Sequence, residues 1–276
     1  MHAPHIGLLK PAASAVGHDP IDALLQPFHL AASRSDAVIS GKAGRFSHKG
    51  RSYHIPRFIF SGPRSDDAPI RLGLFGGLHG DEPESSLGLL PFFQDLIANP
   101  ELARGYVLFF YPLANPTGYE LGTRESAAGK DLNREFWTGS GEPEVDLLEQ
   151  EILDHQFHGL IATHADADSP GTYGYVQGAT LSAEILDPAL RAAEAVLPRN
   201  REAVIDGWAA HDGIIRQGYP GILSSPRTLP LKTLPFEIVF ETPQRAPLAD
   251  QVEATRRALH SILENYRGFI SFSADL

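Results

Sequence analysis

The spacing of apolar and polar residues divides the chain into alternating helices and strands. Asp19-Pro20 reads as a helix cap followed by a first helical residue, and Ile21, Leu24, Leu25 and Phe28 follow at helical spacing. Over residues 36–62 the period changes. Ala37-Val-Ile39, Arg45-Phe46 and residues 53–60 read as hairpin-forming edge strands about a Lys49-Gly50 turn. A short apolar run over residues 70–77 predicts a buried strand. Pro83 then opens a helix to about residue 98, with Leu87, Leu90, Phe93, Leu96 and Ile97 on one face. Pro91 falls inside that helix and predicts a kink or an early end. Tyr106–Tyr111 is continuously apolar, the pattern of a strand covered on both faces.

Beyond Pro112 a loop rich in Asn, Gly and charge extends to about residue 142. Val145, Leu148 and Ile152 predict a helix over residues 144–153. Residues 159–164 form a third inner strand, and residues 173–176 a short one. Asp187-Pro188 repeats the cap signature and predicts a helix from there to Leu197. Residues 200–233 carry many Gly and Pro and little periodicity. Residues 236–241 alternate as a strand, and residues 247–267 give the clearest helix, closed by Gly268. Residues 1–17 read as a loose lead-in, and residues 1–62 as an N-terminal helix plus edge hairpin annexed to the rest. With no repeat and no linker, residues 1–276 read as one domain. Helices alternating with apolar strands place it in the α/β class, on a mixed, mostly parallel sheet.

The chemistry gathers where strands end. The strand before Gly76-Gly77 runs into His79-Gly-Asp-Glu82, directly ahead of the helix-starting Pro83. In open α/β sheets ligands bind beyond the carboxyl ends of the strands. Two further strands also end in polar groups, at His164 and at Glu241. Together these supply two His and a carboxylate for one zinc ion with an open fourth position, and a further free carboxylate to act as general base. Glu237 and Glu241 share a strand face. Glu241 lies at the strand end and is the better base, whereas Glu237 pairs within the fold. The loop after Tyr111 adds Asn115-Pro-Thr-Gly118, Arg124 and Asp131-Leu-Asn-Arg134. One Arg can stabilise an oxyanion and another can hold a carboxylate bidentately. Asp131 reads as a cap or an Arg partner, and Asp166 and Asp168 as loop caps. The remaining His, His155, His158 and His211 among them, show no partner pattern.

Bulk properties narrow the function. A net charge of −11 argues against binding nucleic acid or an anionic membrane surface. The absence of Cys removes thiol chemistry and disulfides, so any metal is held by His, Asp or Glu. No basic segment leads into an apolar one at the N-terminus, and no run approaches the ~18 apolar residues of a membrane span. The expected setting is the cytoplasm. A Gly-x-Ser-x-Gly elbow is missing, which sets aside a serine hydrolase.

His79-Gly-Asp-Glu82, Asn115-Pro-Thr-Gly118, Arg124, Asp131-Leu-Asn-Arg134, His164-Ala-Asp and Phe240-Glu241-Thr form an ordered set over about residues 70–245. In this the chain resembles the zinc carboxypeptidase superfamily, including its branch of aspartoacylases and succinylglutamate desuccinylases. The resemblance implies a three-layer αβα sandwich holding one zinc ion. His79, Glu82 and His164 would be the zinc ligands and Glu241 the general base. Arg124 would polarise the scissile carbonyl, and Asn133 and Arg134 would bind the substrate carboxylate. The short interval from Arg124 to Asn133 is nearer the desuccinylase branch. No clear motif marks the family's gating Tyr. Tyr219, in the turn-like Gly218-Tyr-Pro-Gly221, lies at a suitable distance before Glu241, and Arg227 is a candidate for the specificity pocket. The substrate expected from the resemblance is a small or murein peptide or an N-acyl amino acid. A non-catalytic zinc-binding module on the same fold is the competing reading. No feature of the sequence indicates an oligomeric state.

Overall fold

The computed structural model describes residues 19–65, 67–224 and 229–274. The lead-in and Arg227 lie outside the described residues. Helix α1 (Pro20–Ala32) begins as its cap signature predicts, with Asp19 accepting from the Ile21 N–H. Strands β1 (Val38–His48) and β2 (Arg51–Ser61) form the expected hairpin. Its turn residues Lys49 and Gly50 both have positive φ, 47° and 80°, the geometry that matches strand twist in two-residue turns. The hairpin is built into the main sheet, because β2 pairs antiparallel with β4 (Tyr106–Tyr111).

The centre of the sheet is parallel. Strand β3 (Ile70–Phe75) lies between β4 and β5 (Gly159–Asp166), and β5 pairs with β10 (Phe236–Pro243). On either side of these four strands the sheet is mixed. Strand β6 (Tyr173–Val176) runs antiparallel to β10, and β9 (Ile214–Ile215), β8 (Trp208–His211) and β7 (Val204–Ile205) extend that edge. The order is β1-β2-β4-β3-β5-β10-β6-β9-β8-β7.

Alternation along the central strands assigns each residue to a layer. Leu72, Leu74, Leu108, Phe110, Ile161, Ile238 and Phe240 face α1, α2 (Pro83–Ala98), α6 (Asp187–Glu194) and α7 (Leu248–Ala274). Phe75, Phe109, Tyr111, Leu160 and Ala162 face the opposite layer, built from α4 (Pro143–His155) and the segment that carries Leu132, Phe136 and Trp137. The result is the three-layer αβα sandwich.

Several local expectations change. Pro91 neither ends nor divides α2, because the residues around it, Leu89, Phe92 and Phe93, are fully buried and packing outweighs one missing hydrogen bond. Gly268 does not close α7, which continues to Ala274. Asp187 is not a cap. Helical backbone already runs from α5 (Ala179–Leu181) through a π-turn (Ser182–Leu186) into α6, and the Asp187 carboxylate instead binds the buried Arg199. The loop after β4 contains α3 (Pro116–Leu121), capped by Asn115, and a 3-10 turn (Leu132–Arg134) capped by Asp131.

Candidate active site

The site begins at the strand–helix turn after β3. Gly77 has φ 63°, and a Cβ there would lie 2.8 Å from the Ser86 hydroxyl, so only glycine fits. The turn is then pinned. Gly77 N–H donates to Ser85 Oγ, the Ala114 and Asn115 N–H groups donate to the Gly76 and Gly77 carbonyls, and His79 and Glu82 are left side by side.

His79 Nδ1 lies 2.5 Å from Glu82 Oε1. His164 Nδ1 lies 3.0 Å from Glu82 Oε2 and 3.2 Å from His79 Nδ1. These ligand atoms all fall within 4.8 Å of one another, and the three side chains are buried. Two imidazole nitrogens and a carboxylate are a donor set suited to zinc, and three protein ligands leave a position for substrate or water. The outer atoms fit the same purpose. His79 Nε2 lies 3.2 Å from Asp131 Oδ1, a carboxylate–imidazole contact that orients the ring with Nδ1 facing inward. Glu82 Oε2 also accepts from the Ala165 N–H at 3.1 Å. The residues present fit a single zinc ion.

The charges are tightly coupled. Burial alone would lower the His79 pKa, but Glu82 and Asp131 outweigh it and raise it to about 9. Burial likewise disfavours the Glu82 carboxylate, yet His164 and His79 hold it well below the usual range. For His164 burial dominates and its pKa falls, so it is neutral and its contact with Glu82 is a hydrogen bond rather than an ion pair.

Glu241 arrives from the neighbouring strand, directly opposite His164 in the parallel register of β10 on β5. Burial, reinforced by the charge of Glu82, pushes its pKa well above the carboxylate range. Tyr219 donates to Glu241 Oε1 at 3.2 Å, and the Tyr173 hydroxyl lies 3.1 Å from that of Tyr219 and donates to Asp166 Oδ2 at 3.0 Å. The structure therefore places Tyr219 at Glu241, and adds Tyr173 and Asp166 to the group. Glu237 is buried and accepts from the Ile222 and Leu223 N–H groups at 2.6 and 2.8 Å, which ties down the segment that follows Tyr219.

Across the cleft, Arg124 Nε donates to Asp131 Oδ2 at 3.1 Å and Nη1 reaches Glu82 Oε1 at 3.5 Å. Asn133 and Arg134 line the same cleft, whose volume is about 300 Å3, together with His79, Glu82, Tyr219 and Glu241. Every residue singled out for catalysis or binding in the sequence, Arg227 apart, thus meets in one place. Three contributors were not evident. Asp131 is a cap and an Arg124 partner, as read, and it also orients His79. Asn115 is buried, and its Nδ2 lies 3.3 Å from the Leu78 carbonyl and 3.4 Å from that of Arg124, which links the two loops. Its place directly before a proline was the available signal, the same one that marked Asp19. Tyr173 carries no such sign in sequence.

Residues 29–161 match the sequence model of the zinc carboxypeptidase family, a span that includes His79, Glu82, Arg124, Asn133 and Arg134. Over this stretch, just under half of its length, the chain is similar to the zinc carboxypeptidase family. That match and the His79, Glu82 and His164 triad mark it as a zinc-dependent hydrolase. A Shewanella amazonensis SB2B protein assigned as a metallopeptidase has the same fold, with a TM-score of 0.73 at 21% identity over 88% of this chain and 92% of that one. A metallo-carboxypeptidase from Burkholderia cenocepacia gives 0.65 at 18% identity over 90% and 69%. The murein-tripeptide amidase MpaA of Escherichia coli O157 gives 0.52 at 23% identity over 81% and 91%. No curated protein matches the chain significantly in sequence. No helix among the described residues of the chain is long and apolar enough to cross a membrane.

Proposed function

We propose that this zinc-dependent hydrolase, acting as a single catalytic domain, is a carboxypeptidase that hydrolyses the amide bond next to a free carboxylate in short peptides, murein peptides among them. The observation that carries this reading is the convergence of His79, Glu82 and His164 with Glu241 on one side of a cleft whose other side holds Arg124, Asn133 and Arg134. His79, Glu82 and His164 would hold the zinc, which when bound supplies a Lewis acid for the scissile carbonyl and activates water. Arg134 and Asn133 take the substrate carboxylate, the guanidinium by charge-assisted hydrogen bonds. Arg124 donates to the carbonyl oxygen as negative charge develops on it. Glu241 takes a proton from the attacking water and returns it to the leaving amine, and its buried setting makes it a strong enough base to do so. Tyr219 donates to Glu241 and closes that side of the cleft. A chain without Cys and with net charge −11 suits the cytoplasm.

N-acyl amino acids present the same amide and carboxylate, and the short interval from Arg124 to Asn133 keeps deacylation as the alternative. Product analysis separates the two. Zinc-loaded protein is incubated with peptides, murein fragments and N-acyl amino acids, and we expect release of the C-terminal amino acid from peptides. The Glu241→Gln variant should retain zinc and lose about a hundredfold or more in rate, the scale of general acid–base catalysis. Failure to cleave any member of the panel, or full activity in Glu241→Gln, refutes the reading.

A further inference from the structure

The sheet edge beyond β6 is a small meander stiffened by its turns. Asp206-Gly207 joins β7 to β8, and Asp212-Gly213 joins β8 to β9. All four turn residues have positive φ, 48°, 79°, 50° and 74° in chain order. This is the geometry whose twist matches that of the strands it joins, and it fixes their register. The second turn is anchored by the buried Arg199, whose Nη1 donates to the Asp212 carbonyl at 3.2 Å and to Asp212 Oδ2 at 3.0 Å.

That register decides which side chains share a face. Ile205 pairs with Trp208, Ala210 with Ile215, Ile215 with Tyr175, and Tyr173 with Glu241. Paired residues point to the same side of a sheet, as do residues two apart along a strand. Trp208, Tyr175, Tyr173 and Glu241 therefore project from one face, and Tyr219 lies across it. The Tyr219 ring meets three others. Its centroid is 6.2 Å from Tyr173 at 87°, 6.2 Å from Tyr175 at 52° and 6.5 Å from Trp208 at 78°. Trp208 also lies against the backbone just before Tyr219. Gly218 has φ 71°, and a Cβ there would fall 2.8 Å from Trp208 Cζ3. Among the described residues, Asp206 and Tyr219 line the cleft and Trp208 does not, so the indole reaches the site only through Tyr219. Glu237 ties down the residues after Tyr219, and Trp208 supplies the hold before it.

We infer that Trp208 is a positioning residue: it clamps Gly218-Tyr219 from the sheet edge and keeps the Tyr219 hydroxyl on Glu241 before substrate arrives. The inference rests on the reading of Glu241 as general base. Without the indole, that side of Tyr219 opens to water and the ring is free to turn away from Glu241.

Nitration by tetranitromethane tests the clamp without zinc or substrate. The reagent attacks the phenolate, and the chain has no Cys to compete for it. Burial and the charge of Glu241 push the Tyr219 hydroxyl well above the usual tyrosine range, so in the unaltered protein it should nitrate slowly. In Trp208→Ala, Tyr219 should nitrate at least about tenfold faster, read by mass spectrometry of its peptide. Tyr106, buried against α7, should not change. Trp208→Phe, which keeps a ring against Gly218, should stay slow. In zinc-loaded protein, Trp208→Ala should lower kcat roughly two- to tenfold, the scale of one edge-to-face aromatic contact, and leave KM in place. In a Tyr219→Phe background the same change should cost nothing more. Unchanged nitration of Tyr219 in Trp208→Ala overturns the clamp. Equal acceleration at Tyr106 also overturns it, because Trp208 then only holds the fold together. So does a rise in KM with kcat unchanged, because Trp208 then touches substrate rather than acting through Tyr219. If no peptide is cleaved, the proposed hydrolysis fails and nitration still decides the clamp.

Discussion

The hydroxyl of Tyr173 lies 3.1 Å from that of Tyr219, and through it the acidic wall of the cleft reaches Glu241. The chain runs Asp166–Tyr173–Tyr219–Glu241, with oxygen–oxygen distances of 3.0, 3.1 and 3.2 Å. Tyr173 is thus a positioning residue for Tyr219. Replacing Tyr173 with Phe removes its contacts with Asp166 and with Tyr219; the loss of the one to Tyr219, worth about 0.5–1.5 kcal/mol net, should lower kcat/KM by roughly two- to tenfold. Tyr219→Phe should lose at least as much. Steady-state kinetics of the two single variants and the double variant check this. Fully additive losses mean that the two hydroxyls act independently and contradict the coupling.

The His79–Glu82 contact predicts how the metal-free protein responds to pH. His79 is raised to about 9 from an ordinary 6.5 by Glu82 and Asp131, against the effect of burial. A raised imidazole contributes stability that is fully present below pH 6.5 and lost as pH rises through 9. Glu82 is depressed, so its contribution is present above its ordinary pKa of 4.5 and lost as pH falls. Metal-free protein should therefore be most stable between about pH 4.5 and 6.5. Zinc needs the neutral imidazole, so at pH 7.5 loading should release about one proton per ion, from His79 and not from the already neutral His164. Calorimetry in buffers of different ionisation enthalpy counts that proton, and a count near zero would rule out His79 as its source.

Much of this site was legible because its parts sit where strands stop. His79, His164 and Glu241 follow apolar runs, and a parallel sheet brings such ends to one edge whatever the loops do. Glu237 and Glu241 could be told apart by position alone, and Glu237 indeed pairs within the fold. What stayed hidden depends on tertiary contact. Tyr173 lies on a short strand among ordinary apolar neighbours, and only pairing with β10 brings it to Tyr219. Asp187 carried a sound cap signature, but packing of Ile185 and Leu186 draws the preceding turn into the helix and turns the carboxylate to Arg199. Residues 200–233 show no period because β7, β8 and β9 are only two to four residues long.

Glu237 anchors the segment that carries Tyr219 and should reveal itself through stability. Burial raises its pKa to about 7, although the Leu223 and Ile222 N–H groups pull it partly back. An acid held above its ordinary 4.5 binds its proton more tightly in the folded state. Its contribution is therefore full below pH 4.5 and is lost as pH rises through 7. Glu237→Gln abolishes that titration. It also sets an amide NH2 against one of two backbone donors, at a cost of about 1–3 kcal/mol. The variant should melt at a lower temperature at pH 5, with a flatter pH dependence between 4.5 and 7. Thermal melts across that range decide it, and an unchanged slope would mean that Glu237 does not titrate there.

Gly80 joins two of the motifs by direct backbone contact. A Cβ on Gly80 would lie 2.0 Å from the Gly118 carbonyl carbon and 2.2 Å from the Tyr119 nitrogen, and backbone cannot give way as a flexible side chain can. Gly118 is confined in turn, since its own Cβ would fall 2.5 Å from Asn115 Nδ2 and from the Glu125 carbonyl. The glycines of His79-Gly-Asp-Glu82 and Asn115-Pro-Thr-Gly118 are therefore the two faces of one contact, which sets the distance between His79 and the Arg124 loop. Gly80→Ala must push those loops apart, at an overpacking cost of about 1–3 kcal/mol. The displacement acts on His79 and Arg124 together, so the variant should bind zinc more weakly and also lose kcat/KM at saturating zinc. Gly122→Ala is the control for backbone strain alone, since φ there is 63° but nothing lies within 4 Å of the added Cβ. It should lower the melting temperature and leave zinc affinity in place. Equal zinc affinity in Gly80→Ala and the unaltered protein would show that the contact does not set the metal site.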